Sequence, residues 1–150
     1  MLHSSFINTY SSLTNALHHT LLPITLLISR YVVAMAFFKA GLVKISSWDS
    51  TLFLFEYEYS VPILPWLWAA YLGTAVELIV PVFILLGLLT RPFAIILFAF
   101  NIIAVLSYPV LWQQGFYDHQ LWGLMLLLLV IHGAGKVSID HWLTRKFLTS

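Results

Sequence analysis

The chain has no cysteine and very little charge: its 150 residues include 7 Lys and Arg and 6 Asp and Glu. Each absence excludes something. Without cysteine there is no disulfide, no thiolate metal site and no thiol–disulfide chemistry carried by the chain itself, and the redox compartment stays open. A net charge of +1 makes no electrostatic case for nucleic acid. Charged residues make up 9%, against roughly 25% in an ordinary soluble domain. No linker, repeat or low-complexity tract argues for a second unit, so residues 1–150 read as one domain. Nucleophile triads, glycine-rich phosphate loops and dinucleotide fingerprints are missing as well.

What is present is apolar. Hydrophobic residues make up 61% and mean hydropathy is +0.92, more apolar side chain than a soluble fold of this size could hide. A hydrocarbon core of about 30 Å needs roughly 20 apolar residues per helix. Four segments qualify, near 22–45, 66–89, 92–112 and 119–135, the last containing 124-LMLLLLVI-131. The expected fold is an all-α membrane protein, a bundle of four transmembrane helices with a short interfacial helix at each end. In the first of these, about 4–20, Phe6, Tyr10, Leu13, Leu17 and Leu21 recur at helical spacing. The absence of a basic leader separates it from a secretory signal. In the second, about 138–148, Ser138 suits the cap and Asp140 the first turn. Ile139, Trp142, Leu143 and Phe147 make its greasy side.

Lys and Arg near the span ends set the orientation. Arg91, Lys136, Arg145 and Lys146 fall on the side of the two termini. Lys44 falls on the other, with Asp49, Glu56, Glu58 and Asp118. Positive charge marks the cytoplasm, so both termini are expected there. The outer face is aromatic. It reads either as an interfacial belt, the depth that Trp and Tyr prefer, or as a planar-ring site built on Tyr57, Trp66 and His119.

Three spans carry one polar residue each near mid-depth. Glu77 lies about 16 Å from Trp66, and Arg30 about 12 Å from Leu22, at 1.5 Å per residue. Asn101 falls near the middle of the third span. An isolated charge at that depth is expensive, so the spacing predicts an intramembrane polar layer in which Arg30 pairs with Glu77 and Asn101 bridges. Pro81 frees the Glu77 carbonyl and adds an acceptor to that layer. Snorkelling of Arg30 or protonation of Glu77 would satisfy the same residues, and a buried pair serves equally as glue or as a working site. On the first span, Arg30, Ala34, Phe37, Gly41 and Lys44 share one face, with Lys39 opposite. Gly41 permits close helix approach.

The histidines do not build a haem site, because only His132 lies well inside a span and its candidate partners lie outside the first. Asp118 and His119 stand at the mouth of the fourth helix. No ligand spacing supports a metal there, none is expected, and Asp118 is read as a helix cap.

The stretches 30-RYVVAMAFFKAGLVKI-45, 76-VELIVPVFILLGLLTR-91, Gly115 with Asp118, and 135-GKVSIDHWL-143 resemble the DoxX family of small bacterial four-helix membrane proteins. By that resemblance Arg30, Gly41, Lys44, Glu77, Gly87, Arg91 and Asp118 match the family pattern. The family has been tied to quinone-linked sulfur oxidation and to membrane redox complexes. The resemblance therefore implies an inner-membrane accessory subunit of a quinone-linked redox system. Such a subunit contacts quinone, holds no intrinsic cofactor or redox centre, and associates with a protein partner or with itself in the lipid bilayer. The stretch 48-WDSTLFLFEYEYSVPILP-65 is similar to a branch encoded beside enzymes that modify copper-binding peptides, so a component of copper-stress peptide maturation or export is the alternative, and a passive anchor the third.

The orientation is directly testable. Reporter fusions are expected to place Met1 and Ser150 in the cytoplasm and the 46–65 loop outside. A cytoplasmic signal from a fusion at Asp49 would invert it.

Overall fold

The computed structural model describes residues 2–148, with side chains from residue 10 to residue 147. Phe6, and the termini Met1 and Ser150, lie outside what is described. Every element is helical: α1 (Leu2–Ser46), α2 (Trp48–Tyr57), α3 (Trp66–Leu86), α4 (Thr90–Ser107), α5 (Phe116–His132) and α6 (Ile139–Leu148), with a short 3₁₀ turn at Pro109–Trp112. Among the described residues three helices are long and apolar enough to cross a membrane: the Tyr10–Ser46 part of α1, α3 and α4. At 17 residues, α5 is shorter. The N-terminal segment expected as a separate interfacial helix is continuous with the first span, because Pro23, the one breaker near the junction, is absorbed inside α1.

Packing follows the apolar periodicity. α1 packs on α3 and α5, and α4 packs on the same two helices. Their shared core holds Leu26, Val33 and Phe37 from α1, Val80 and Ile84 from α3, Leu97 from α4, and Leu126 and Leu129 from α5. On α1 the expected face is the buried one. Arg30, Ala34, Phe37 and Gly41 are buried and Lys44 half-buried, while Lys39 is exposed. Gly41 sets the α1–α3 approach, since a Cβ there would stand 2.8 Å from Leu78 Cδ2 and 3.1 Å from Glu77 Cβ.

Two ends can be told apart. At one, α2 lies over the end of α1, held by the Thr51 hydroxyl donating to the Lys44 carbonyl at 3.0 Å. At the other, residues 133–140 clamp the α3–α4 turn. There Asp140 accepts from the Leu89 N–H at 2.7 Å and the Thr90 N–H at 3.0 Å. Its own N–H donates to the Gly87 carbonyl at 2.9 Å. α4 has no side-chain cap of its own, so a carboxylate from α6 satisfies the free amides of its first turn. Ser138 caps α6 as expected, accepting from the His141 N–H at 3.1 Å. Asp140 was expected to serve α6 and serves α4 instead.

Gly87 terminates α3 in the left-handed region, with φ 67°. A Cβ on it would lie 2.6 Å from Ser138 Cβ and 2.7 Å from Arg30 Nη2. Gly115 has φ 92° but open space, with its nearest neighbour at 3.5 Å. Gly115→Ala should therefore lose only the conformational term, about 1–3 kcal/mol. Gly87→Ala should lose more, because it also drives the clamp apart. Thermal unfolding of both variants in mild detergent reads the difference, and equal losses would contradict a tight clamp.

Candidate functional site

The three expected mid-depth residues do not form one layer. Arg30 is buried at the α6 end, in a cage of carbonyl oxygens. Its Nε donates to Ile84 at 2.9 Å, its Nη1 to Ala134 at 3.1 Å and Val137 at 2.5 Å, and its Nη2 to Leu85. The Ile84 and Leu85 carbonyls belong to the last turn of α3, and Ala134 and Val137 to the turn after α5. A guanidinium thus adds a donor to carbonyls of the last turn of α3, where positive charge is also favoured by the helix dipole, and of the turn after α5. The Ile84 carbonyl also accepts from the Gly87 N–H at 3.1 Å. The freed carbonyl of Glu77 is not among its acceptors.

The partner of Glu77 is Lys44. The ammonium lies 2.7 Å from Oε1 and 2.6 Å from Oε2, with side-chain exposures of 19% for Lys44 and 7% for Glu77. Helical geometry explains the exchange of partners. Side chains lean toward the N-terminus of their own helix. α1 and α3 run in opposite directions, so Lys44 leans into the core, Glu77 leans toward it, and Arg30 leans away from both. Gly41, not Arg30, is the α1 residue level with Glu77. Counting depth from Leu22 places Arg30 too far along, because α1 continues unbroken through that residue and Leu22 does not mark the level at which α3 ends.

Asn101 also has a different partner. Its Nδ2 donates to the His119 carbonyl at 2.9 Å, and its Oδ1 faces His119 Nδ1 at 2.7 Å. Since Oδ1 has no hydrogen, Nδ1 carries the imidazole proton and Nε2 is left as a bare acceptor. Trp122 packs edge-on to the imidazole at 4.8 Å.

The Lys44–Glu77 pair and His119 line one cavity of about 430 Å³ beneath α2. Its walls are mainly apolar and aromatic, including Phe37, Phe55, Phe100 and Trp122. Ser107 also lines it, and the Ser107 hydroxyl is buried without a hydrogen-bond partner. Over the cavity, the Ser60 N–H donates to the Ser107 carbonyl at 2.8 Å. Tyr59 and Tyr108 stack edge-on at 4.7 Å. Tyr108 donates to a Glu58 carboxylate oxygen at 3.3 Å. Burial, with Tyr108 adding to it, pushes the Tyr59 hydroxyl up to about 12, so it is a neutral phenol.

Of the expected outer-face residues, His119 lines this cavity. Tyr57 and Trp66 are exposed and do not. Asp118 stands exposed in the first turn of α5, which starts at Gly115 without a side-chain cap. Arg91 donates to the Ile131 carbonyl at 3.2 Å and ties α4 to the end of α5. Among the described residues no cluster of three or more His, Asp or Glu is placed to hold a metal ion. Ser107 and Tyr108 were missed as site residues. A signal existed for one of them: Phe100, Ala104, Ser107 and Leu111 share the helical face one position round from Asn101.

Apolar helices around an ion pair, an oriented imidazole and an apolar cavity define a small helical membrane protein with an internal site. The DoxX family model matches residues 25–109, more than half of the chain, and the chain belongs to the DoxX family. The match holds Arg30, Gly41, Lys44, Glu77, Gly87 and Arg91, and ends before α5. No curated protein and no solved structure matches the chain.

The pairing has an energetic signature. Glu77→Gln and Lys44→Met should each destabilise, by up to the roughly 3–5 kcal/mol typical of a broken buried pair, and the double variant should recover part of the loss. Glu77→Gln combined with Arg30→Met should be additive within about 0.5 kcal/mol. Unfolding measurements in detergent give both cycles. Additivity between Lys44 and Glu77 would contradict the assignment.

Proposed function

We propose that the chain is an accessory subunit of a quinone-linked redox system in a bacterial inner membrane, and that the cavity beneath α2 holds the quinone ring. In this reading α5 is a fourth span. Its 17 residues rise about 25 Å, and a locally thinned bilayer accommodates that length. Both termini are cytoplasmic: Arg91 and Lys136 cluster at the α6 end, while Asp49, Glu56, Glu58 and Asp118 gather at the α2 end. The exposed apolar faces lie against lipid and against a protein partner or a second copy. The redox centre belongs to that partner.

One observation carries the reading: an aromatic-walled cavity whose few polar groups converge from different helices. Lys44 has three N–H donors and gives two of its contacts to Glu77, which leaves one for a ring carbonyl. His119 Nε2 offers an acceptor to a ring hydroxyl, and the Ser107 hydroxyl can serve either oxygen. Glu77 balances a Lys44 charge that apolar walls alone would leave uncompensated. A flat ring with oxygen at opposite ends matches this donor–acceptor set. The chain's part in the chemistry is to bind and orient the ring.

Titration with 2,3-dimethoxy-5-methyl-1,4-benzoquinone, followed by tryptophan fluorescence, tests the reading. Affinity should fall about tenfold in His119→Ala and in the stable Lys44→Met/Glu77→Gln double variant, each having lost a buried polar contact. Tyr57→Ala and Trp66→Ala, which alter the outer face away from the cavity, should bind as the native protein does. The opposite pattern would move the site to the outer face. Co-purification of a peptide-modifying enzyme instead of a dehydrogenase would favour the peptide-maturation reading, and an empty homo-oligomer the passive anchor.

A further inference from the structure

A second hollow lies on the other side of His119. It is an open groove of about 520 Å³ between α4 and α5, lined on its apolar parts by Phe98, Ile102, Leu106, Leu124 and Leu127. Its polar residues are Asn101, His119 and Gln120. His119 lines the groove and the cavity alike, so the imidazole clamped by Asn101 is the partition between them. Gly123 keeps the groove deep below that partition. A Cβ there would already stand 3.4 Å from Asn101 Nδ2 and 3.7 Å from Phe98.

We infer that the ligand is a tailed amphiphile, its ring in the cavity and its apolar chain leaving past His119 along the α4/α5 groove. This rests on the cavity reading above. An apolar chain gains little by leaving lipid for a protein groove, since lipid tails are as apolar as leucine. The groove therefore adds little affinity of its own. Its role is steric: a ring that enters the cavity with a chain attached needs an apolar exit. The α1–α3 wall is closed by the Gly41–Leu78 contact, and the α1–α5 wall by Phe37 against Trp122 at 5.5 Å. The competing exit is therefore the α3–α4 side, where the lining residues Leu72 and Ile103 are exposed. The seam at His119 is where cavity and groove share a wall, and the polar residues of the groove stand at that junction. The unpartnered Ser107 hydroxyl marks the cavity itself as the seat of a polar head.

The test compares two probes on the full chain in detergent: a dimethoxy-methyl-benzoquinone carrying a ten-carbon chain, and its tailless parent. Leu124→Trp fills the groove at a position that is 66% exposed. Leu127→Trp fills it farther out, at a position that is already 38% exposed and so leaves the core undisturbed. Both variants should lose about tenfold or more in affinity for the tailed probe, equivalent to about 1.4 kcal/mol. Both should bind the tailless probe as the native protein does, which also shows that they are folded. If tailed and tailless probes bind both variants at native affinity, the groove holds only annular lipid and the inference is overturned while the cavity reading stands. If neither probe binds the native protein, the reading and the inference fall together.

Discussion

The guanidinium of Arg30 is the contact on which the rest of the architecture depends. In lipid, a helix end must have its free carbonyls satisfied from within the protein. One side chain does this for the last turn of α3 and the turn after α5 at once. The arrangement requires glycine at 87, because a side chain there would occupy the space of the guanidinium and of Ser138. It also brings Asp140 over the start of α4, where a carboxylate replaces the missing cap. Arg30, Gly87, Ser138 and Asp140 thus act as one clamp. The start of α4 and the turn after α5 are fixed by groups from another part of the chain, and the end of α3 by such groups together with its own Gly87 cap.

A closed end permits an open one. With the α6 end held by the clamp, the α2 end has fewer constraints on packing, and the space between helices there is left as a cavity. Lys44 and Glu77 form its floor, and their balance differs from that of Arg30. A buried ion pair is weak evidence of stabilisation, since desolvation offsets most of the attraction and apolar replacements are often as stable. No apolar replacement matches Arg30, because the carbonyls it satisfies stay in the backbone. Lys44 and Glu77 could be replaced together. Keeping a removable charged pair against an apolar cavity makes more sense as binding chemistry than as structure.

Much of this was legible in the residues. The apolar runs predicted α3 and α4 and the core-facing stripe of α1 to within a few residues. Gly41 was recognisable as a close-approach position, and Arg30, Glu77 and Asn101 as buried polar groups that needed partners. Their partners were not legible from depth. Depth counted along each helix assumes that all spans start at the same level. Here α1 runs on as one helix from Leu2 to Ser46, so Leu22 marks no end. Arg30 lies level with the last turn of α3, a level that the α1 sequence alone does not mark. The placement of Asp140 was hidden for a similar reason. A carboxylate in a first turn suits its own helix by local rules, and only the clamp shows that it caps another.

Side-chain direction, unlike depth, does carry the pairing. On antiparallel neighbours, residues at the same backbone level lean apart, and two converge when each is displaced toward its own C-terminus from the other's level. A long cation near the C-terminal end of one span leans inward, and the glutamate of an antiparallel partner leans out to meet it. A cation in the N-terminal half of the span leans away from that glutamate and toward the partner's last carbonyls. Applied to α1 and α3, this rule assigns Lys44 to Glu77 and Arg30 to the end of α3, as observed. It also explains why Arg30 and Lys44 have separate tasks despite sharing one face. The arginine, with five donors in a planar fork, suits several carbonyls. The lysine, a compact charge on a flexible stem, suits one carboxylate and keeps a donor for whatever enters the cavity.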